Sequence, residues 1–240
     1  MREKSKAFQF KQFAIAHDRC AMKVGTDGVL VGAWCSAEGK ARILDVGTGS
    51  GLIALMVAQR SKAQIVGIEI DHDAAQQAHE NAKASPFAPR ITIIEASLQR
   101  FQDTLVTSAT FDLIVSNPPY FTDSLKAPSA QRSTARHTDS LSFDELVAAA
   151  SALLSPSGVL SVILPTEAFE GFATIATAHR LHLNRITHVR PTPSSPPRRI
   201  LMEWSPTPQP LLSNELIIET DRHRYSESYN SLTAAFYLKG

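Results

Sequence analysis

The chain has 240 residues, 43% of them apolar and 20% charged, with a formal net charge of +1. Such a chain is long enough to bury a sizeable core, and its balance is that of an ordinary soluble globular protein. No overall field gathers nucleic acid, the longest apolar run (Leu52 to Ala58) is far short of a membrane span, and two cysteines, Cys20 and Cys35, cannot frame a disulfide scaffold or a metal site.

In chain order, the basic opening MREKSKAFQF is not followed by an apolar signal core, so a reducing, cytoplasmic home is expected. Residues 42–46 (RILDV) predict a strand, 51–60 (GLIALMVAQR) a helix, 64–70 (QIVGIEI) a strand, 73–83 a helix, and 91–95 (ITIIE) and 111–116 (FDLIVS) strands. Residues 143–154 predict a helix with Ser142 as N-cap and Glu145 three positions on, the pattern of a capping box. A strand at 158–164 (GVLSVIL) and a helix at 167–178 follow. Residues 191–210 are proline-rich around RRILMEW, which suits two strands joined by a proline-rich loop that finish the sheet. ELIIE (215–219) is a further short strand, and 226–238 a terminal helix. Strands alternating with helices imply a mostly parallel twisted α/β sheet, with an antiparallel edge strand and helices on both faces. Most of the strands are continuously apolar, as strands covered on both sides should be. One domain is expected over 1–240, with a capping segment at 1–41, a core at 42–204 and an extension at 205–240.

The charge is unevenly spread. Residues 1–23 hold six Lys/Arg against two acids and 180–204 hold five Arg against one Glu, whereas 64–123 hold eight acids against three Lys/Arg. Solvated surface explains this; so do two basic flanks that meet phosphates around a neutral or acidic pocket.

The first strand runs into Asp45-Val46-Gly47-Thr48-Gly49-Ser50-Gly51 and then a helix. Glycines at such a turn let backbone approach a ligand, and the helix start adds exposed N–H groups. Eighteen residues past Gly51, Glu69 closes the second strand, where an acid can hold both ribose hydroxyls of a nucleoside. Over residues 22–204 this order resembles the Rossmann-like class I S-adenosylmethionine-dependent methyltransferases. The resemblance implies S-adenosylmethionine as cofactor, with Asp45, Gly47, Gly49 and Gly51 at its methionine end, Glu69 on the ribose and Ser97, where relatives often carry Asp, at the adenine.

The fourth strand stops at Asn117, which is expected to touch the cofactor as well as the substrate, and Pro118, Pro119 and Tyr120 make a stiff loop at its tip, beside the cofactor. An exocyclic amine on a purine is a poor nucleophile, because its lone pair is delocalised into the ring. The Asn117 side-chain oxygen and the Pro118 carbonyl can each accept one of its N–H groups and localise that pair, while Tyr120 stacks on the base for about 1–3 kcal/mol. A cytosine C5 methyltransferase needs a cysteine here, and both cysteines precede the first strand. The NPPY motif resembles that of N-methyltransferases acting on adenine N6, guanine N2 or glutamine N5.

The flanks narrow the choice. FQFKQFAIAHDRCAMKVGTDGVLVGAW (8–34), NPPYF (117–121), ARHTDSLSFDELV (135–147) and YSESYNSLTAAFYLKG (225–240) resemble the bacterial family that methylates adenine N6 at position 37 of a valine tRNA. That resemblance implies that Lys23, Val24, Thr26 and Asp27 close over the methionine end of the cofactor; Thr26 and Asp27 are equally suited to N-capping the helix that follows. It makes tRNA the partner, with no membrane and no obligate protein partner. Lys126, Arg132, Arg136 and His137 after the motif, and Arg190, Arg198 and Arg199 around the proline-rich loop, are the candidate RNA contacts; Arg198 also suits the role of an edge-strand charge. The alternatives are an N-methyltransferase on rRNA guanine or protein glutamine, and a non-catalytic adaptor on the same fold. His179 and His182 suit a helix end better than a metal site, and no metal is expected. Phe169, Phe172 and Phe236 are expected in the core.

Overall fold

A computed structural model describes residues 7–20, 23–105, 110–119 and 141–238. After a two-stranded hairpin, β1 (Phe8–Gln9) and β2 (Ala14–Ile15), come α1 (Thr26–Trp34), β3 (Arg42–Val46), α2 (Leu52–Arg60), β4 (Gln64–Glu69), α3 (His72–Ala84), β5 (Ile91–Glu95), α4 (Leu98–Thr104) and β6 (Phe111–Ser116). They are followed by α5 (Phe143–Leu153), β7 (Leu154–Pro165), α6 (Phe169–Ala178), β8 (His182–Arg190), β9 (Arg199–Ser205), β10 (Leu212–Ile217), the short pair β11 (Glu219–Asp221) and β12 (Arg224–Tyr225), and α7 (Glu227–Thr233).

Eight strands form one sheet in the order β10-β8-β9-β7-β6-β3-β4-β5. Pairing is parallel throughout except where β9 meets β7 and β8. The antiparallel strand thus lies towards one edge, third from its end, with β8 and β10 outside it. The chain lays β3, β4 and β5 in one direction and then returns to place β6 on the other side of β3. That reversal is the switch point at which open α/β sheets bind ligands.

Strand alternation builds two cores. On β3, Leu44 and Val46 face a cluster with Leu98, Leu146 and Phe172 of α4, α5 and α6, while Ile43 faces one with Leu30, Ile53 and Tyr229 of α1, α2 and α7. On β6, Ile114 belongs to the first cluster and Leu113 and Val115 to the second. Each fully buried aliphatic side chain stabilises the fold by about 1.5–3 kcal/mol, so both faces hold the sheet between helices. Phe172 and Phe236 are buried and Phe169 packs against the first core.

The expected elements differ from the observed ones at their ends. α2 starts at Leu52 because Gly51 is its left-handed N-cap (φ 82°). β4 stops at Glu69, whose own carboxylate accepts the next two backbone N–H groups and turns the chain. β7 begins earlier than expected, with an irregularity in its register to β6. α7 stops at Thr233, and Phe236 then turns into the core. Ser142 and Glu145 form the expected capping box. α4 and the β1–β2 hairpin had no sequence counterpart, being too short to show a period.

Candidate active site

β3 and β6 pair in register, Val46 opposite Ser116. The glycine turn and Asn117 therefore leave neighbouring strand ends at the same level. Ser116 fastens them: its hydroxyl donates to the Val46 carbonyl at 2.8 Å, fully buried.

Gly47, Gly49 and Gly51 have φ of 71°, 56° and 82°, a region that side chains with a Cβ rarely adopt. A Cβ on Gly47 or Gly49 would meet nothing within 4 Å, whereas one on Gly51 would stand in ordinary contact with Ala78 at 3.4 Å. The first two leave open space beside the backbone, and the third is the left-handed N-cap from which α2 starts. The Gly47 and Thr48 amides both donate to the Ile68 carbonyl at 3.0 Å. The Gly49 amide donates to Oε2 of Glu69 at 2.8 Å, and Oε1 accepts from the amides of Ile70 (2.9 Å) and Asp71 (3.0 Å). Three backbone bonds thus aim this half-buried carboxylate across the turn.

Asp45 is fully buried beneath the turn. Its Oδ2 accepts from the Thr48 hydroxyl at 2.6 Å and the Ala54 amide at 3.0 Å, while Oδ1 has no hydrogen-bond partner among the described residues. Burial pushes its carboxyl up to about 7, Glu69 adds to the rise, and the two hydrogen bonds oppose it. The unfolded carboxyl titrates near about 4. Between those values the folded state binds more protons, so this group's contribution is full below the lower value and is lost as pH rises through the upper one. Asp45→Asn is therefore expected to gain stability relative to the parent as pH is raised from about 5 to about 8. Thermal unfolding of both proteins across that range measures it, and a pH-independent difference would reject this account.

Asn117 is half-buried, Pro118 buried and Pro119 exposed. The Asn117 side-chain oxygen is buried without a hydrogen-bond partner among the described residues, an acceptor whose desolvation is costly unless something donates to it. Tyr120, Lys126, Arg132, Arg136 and His137 lie outside the described residues.

On the other side of the turn, Lys23 is exposed and Val24 half-buried, its amide donating to Nδ1 of His17 at 3.2 Å. Thr26 and Asp27 do not cap α1: the N-cap is Gly25, without a side-chain cap bond, and Thr26 and Asp27 are the first two helical residues. Asp27 instead accepts from Nε of Arg199 at 2.8 Å. Ser97 caps α4, accepting from the Arg100 amide at 3.2 Å, which commits one of its lone pairs. Beside it Glu95 is held by Nδ1 of His72 at 2.7 Å, and this carboxylate raises the imidazole pKa.

Among the candidate RNA contacts, Arg198 is exposed and precedes β9, which is an interior strand, so it is not an edge charge. Arg190 reaches Glu215 at 3.1 Å and the Ser195 carbonyl at 3.3 Å. Burial raises the Cys20 thiol to about 11 and the Cys35 thiol to about 12, which keeps both out of the nucleophilic thiolate form. His179 is the C-cap of α6 and meets Asp144 at 3.0 Å.

The methyltransferase small-domain family model matches residues 26–171, from α1 through the glycine turn and Asn117 to the start of α6. The tRNA1(Val) (adenine(37)-N6)-methyltransferase of Parabacteroides distasonis is 52% identical over 234 residues, covering 97% of this chain and 98% of its own. The enzymes of that name from Bacteroides fragilis (50% over 232 residues; 97% and 98%) and Klebsiella pneumoniae (42% over 233; 96% and 94%) match over the same extent. The chain belongs to this family. For the fold alone, a solved structure described as a predicted O-methyltransferase from Agrobacterium tumefaciens superposes with a TM-score of 0.69 at 22% identity, over 88% of this chain and 96% of that one.

The structure adds residues to this methyltransferase site that motif reading passed over. Asn81 on α3 holds the backbone of Ala16 in both directions (2.8 and 3.0 Å) and the Ser50 carbonyl (2.8 Å). Gln77, one turn earlier, holds the Arg19 amide at 3.0 Å and Asp18 at 2.6 Å. Together they strap the segment before α1 beside the glycine turn. The signal was two amides four apart on one face of a helix. Ile70, directly after Glu69, is an apolar side chain 58% exposed.

Proposed function

We infer that this chain transfers a methyl group from S-adenosylmethionine to N6 of an adenine in tRNA, at position 37 of a valine tRNA as the names of its relatives state. The observation that carries this reading is the Val46–Ser116 pairing, which sets a glycine turn with open space beside an asparagine whose buried oxygen lacks a donor among the described residues.

The residues fit the cofactor. Gly47 and Gly49 leave room for it, Gly51 seats the helix behind it, and the buried Oδ1 of Asp45, unpartnered among the described residues, and the aimed carboxylate of Glu69 are acceptors for its ammonium and ribose hydroxyls. Ser97 meets the adenine, and Lys23, Val24, Thr26 and Asp27 close over the methionine end. When bound, the cofactor supplies an electrophilic methyl group on a sulfonium.

The chain itself then has three tasks. Asn117 Oδ1 and the Pro118 carbonyl accept the two N–H groups of the adenine amine, which localises its lone pair. Pro119 stiffens the loop so that these acceptors need no reorganisation, and Tyr120 stacks on the base. Lys126, Arg132, Arg136, His137 and the exposed Arg198 meet RNA phosphates, while Arg190 and Arg199 brace the loop between them. An unpaired anticodon-loop base is extruded at less cost than a paired one. Work on tRNA fits a cytoplasmic protein; no helix among the described residues is long and apolar enough to cross a membrane.

The test is methyl transfer to unmodified tRNA, followed by digestion to nucleosides and mass spectrometry. N6-methyladenosine that depends on the enzyme is the expected product. Methylated guanosine, or methylation of glutamine in a protein substrate with none in tRNA, would overturn the assignment. Within this reading, Ser116→Ala is expected to lower kcat about tenfold, because small misplacements of a reacting group are costly. The affinity for S-adenosylhomocysteine should stay the same. Steady-state kinetics and calorimetry separate the two, and unaltered kcat would leave Ser116 without a positioning role.

A further inference from the structure

Arg199 and Asp27 lie 172 positions apart and fall on opposite sides of the functional reading, one with RNA and one with the cofactor. The fold joins them. Nε of Arg199 donates to Oδ2 of Asp27 at 2.8 Å, and Nη1 donates to the Arg198 carbonyl at 3.0 Å. The two side chains are 31% and 22% exposed. Two donors on fixed acceptors orient the guanidinium, unlike a lone surface ion pair, which is worth little.

The pair sits in a continuous line of packing. Arg199 opens β9 opposite Pro165, the last residue of β7. Asp27 is in the first turn of α1, where a negative charge suits the helix dipole. α1 then lies tightly on α2: a Cβ on Gly28 would stand 3.0 Å from Leu52, and one on Gly32 2.8 Å from the Met56 sulfur. Leu52 is the first residue of α2, directly after Gly51 of the turn. The start of α1 is therefore clamped between the sheet rim and the glycine turn, and Arg199 is the clamp on the rim side.

We propose that Arg199 is a positioning residue for the cofactor: through Asp27 it holds the start of α1, and with it residues 23–27, closed over the methionine end. This rests on the reading that those residues cap the cofactor. Losing the ion pair leaves the fold intact but frees the cap, so the cost falls on cofactor affinity. The bonds from Nε to Asp27 and from Nη1 to the Arg198 carbonyl hold this guanidinium against the protein.

The test measures S-adenosylhomocysteine affinity by calorimetry, and tRNA affinity in the absence of cofactor by filter binding, on the full chain. The variants are Asp27→Asn, Arg199→Gln, Arg199→Lys, the Asp27→Asn/Arg199→Gln double and Thr26→Val. Asp27→Asn and Arg199→Gln are each expected to weaken S-adenosylhomocysteine about fivefold. The double variant should match the singles rather than reach the roughly 25-fold loss of independent sites. Arg199→Lys should recover most of the affinity, and tRNA binding should not change. Arg199→Gln that weakens tRNA and spares S-adenosylhomocysteine would overturn the proposal, as would additive losses. If Thr26→Val and Asp27→Asn weaken S-adenosylhomocysteine and Arg199→Gln does not, the clamp alone is refuted. If none of the three weakens it, the capping reading has failed with it.

Discussion

Asn117→Ala is expected to lower kcat on tRNA by about 10²–10³-fold, the typical cost of removing one preorganised polar group from a reacting centre. Affinity for S-adenosylhomocysteine should be nearly unchanged. The reasoning starts from the unmet acceptor. The Asn117 oxygen is already desolvated and unpaired among the described residues, so an incoming N–H gains a hydrogen bond without displacing one from them. The buried Pro118 beside it keeps its own carbonyl in place, since the ring fixes φ and removes a competing N–H. In the proposed mechanism both acceptors act on the amine as it gives up its delocalised pair, so their loss is expected in kcat rather than in KM. Steady-state kinetics on tRNA, with calorimetric cofactor binding on the same preparation, separates the two. Turnover at the parent rate would refute the mechanism, and loss of cofactor affinity in proportion to kcat would make Asn117 a cofactor ligand instead.

Glu69→Ala should weaken S-adenosylhomocysteine by at least about 100-fold, since two hydrogen bonds to a charged acceptor are each worth about 1.5–3 kcal/mol. The carboxylate also organises the turn that receives the ligand. Oε2 holds the Gly49 amide and Oε1 those of Ile70 and Asp71. Alanine frees all three, so Gly49 loses its anchor and thermal stability falls as well. Glu69→Gln separates the contributions: its carbonyl oxygen keeps some of the backbone bonds without the charge, so it should recover most of the thermal stability and only part of the affinity. Calorimetry and thermal unfolding of the three proteins test this. Unimpaired binding by Glu69→Ala would remove the ribose from this acid.

Much of this is legible in the sequence. Strand and helix positions followed from continuous apolar runs alternating with amphipathic ones. Gly47, Gly49 and Gly51 stood out because glycines at a strand-to-helix turn let backbone approach a ligand; that all three adopt positive φ is what the fold adds. The prolines after Asn117 fixed where β6 must stop, and it stops at Ser116. Short elements were less visible: α4 has seven residues and β1 and β2 two each, too few for a period to emerge. The N-cap expected from Thr26 and Asp27 is taken by Gly25, because Asp27 is drawn to an arginine that no local window contains.

Local chemistry could be read residue by residue, because it depends on covalent properties: glycine's freedom, proline's fixed φ, the acceptor on an asparagine, the charge on Glu69. Neighbourhood could not. Which strands lie side by side is decided by burying two apolar faces of one sheet at once. That choice brings Ser116 to Val46 across 70 positions, Asn81 to Ala16 across 65 and Arg199 to Asp27 across 172. Hydrogen bonds over such separations form only when packing has fixed both backbones. The parts of the site were therefore written in the chain, while their distances, partners and burial belong to the fold.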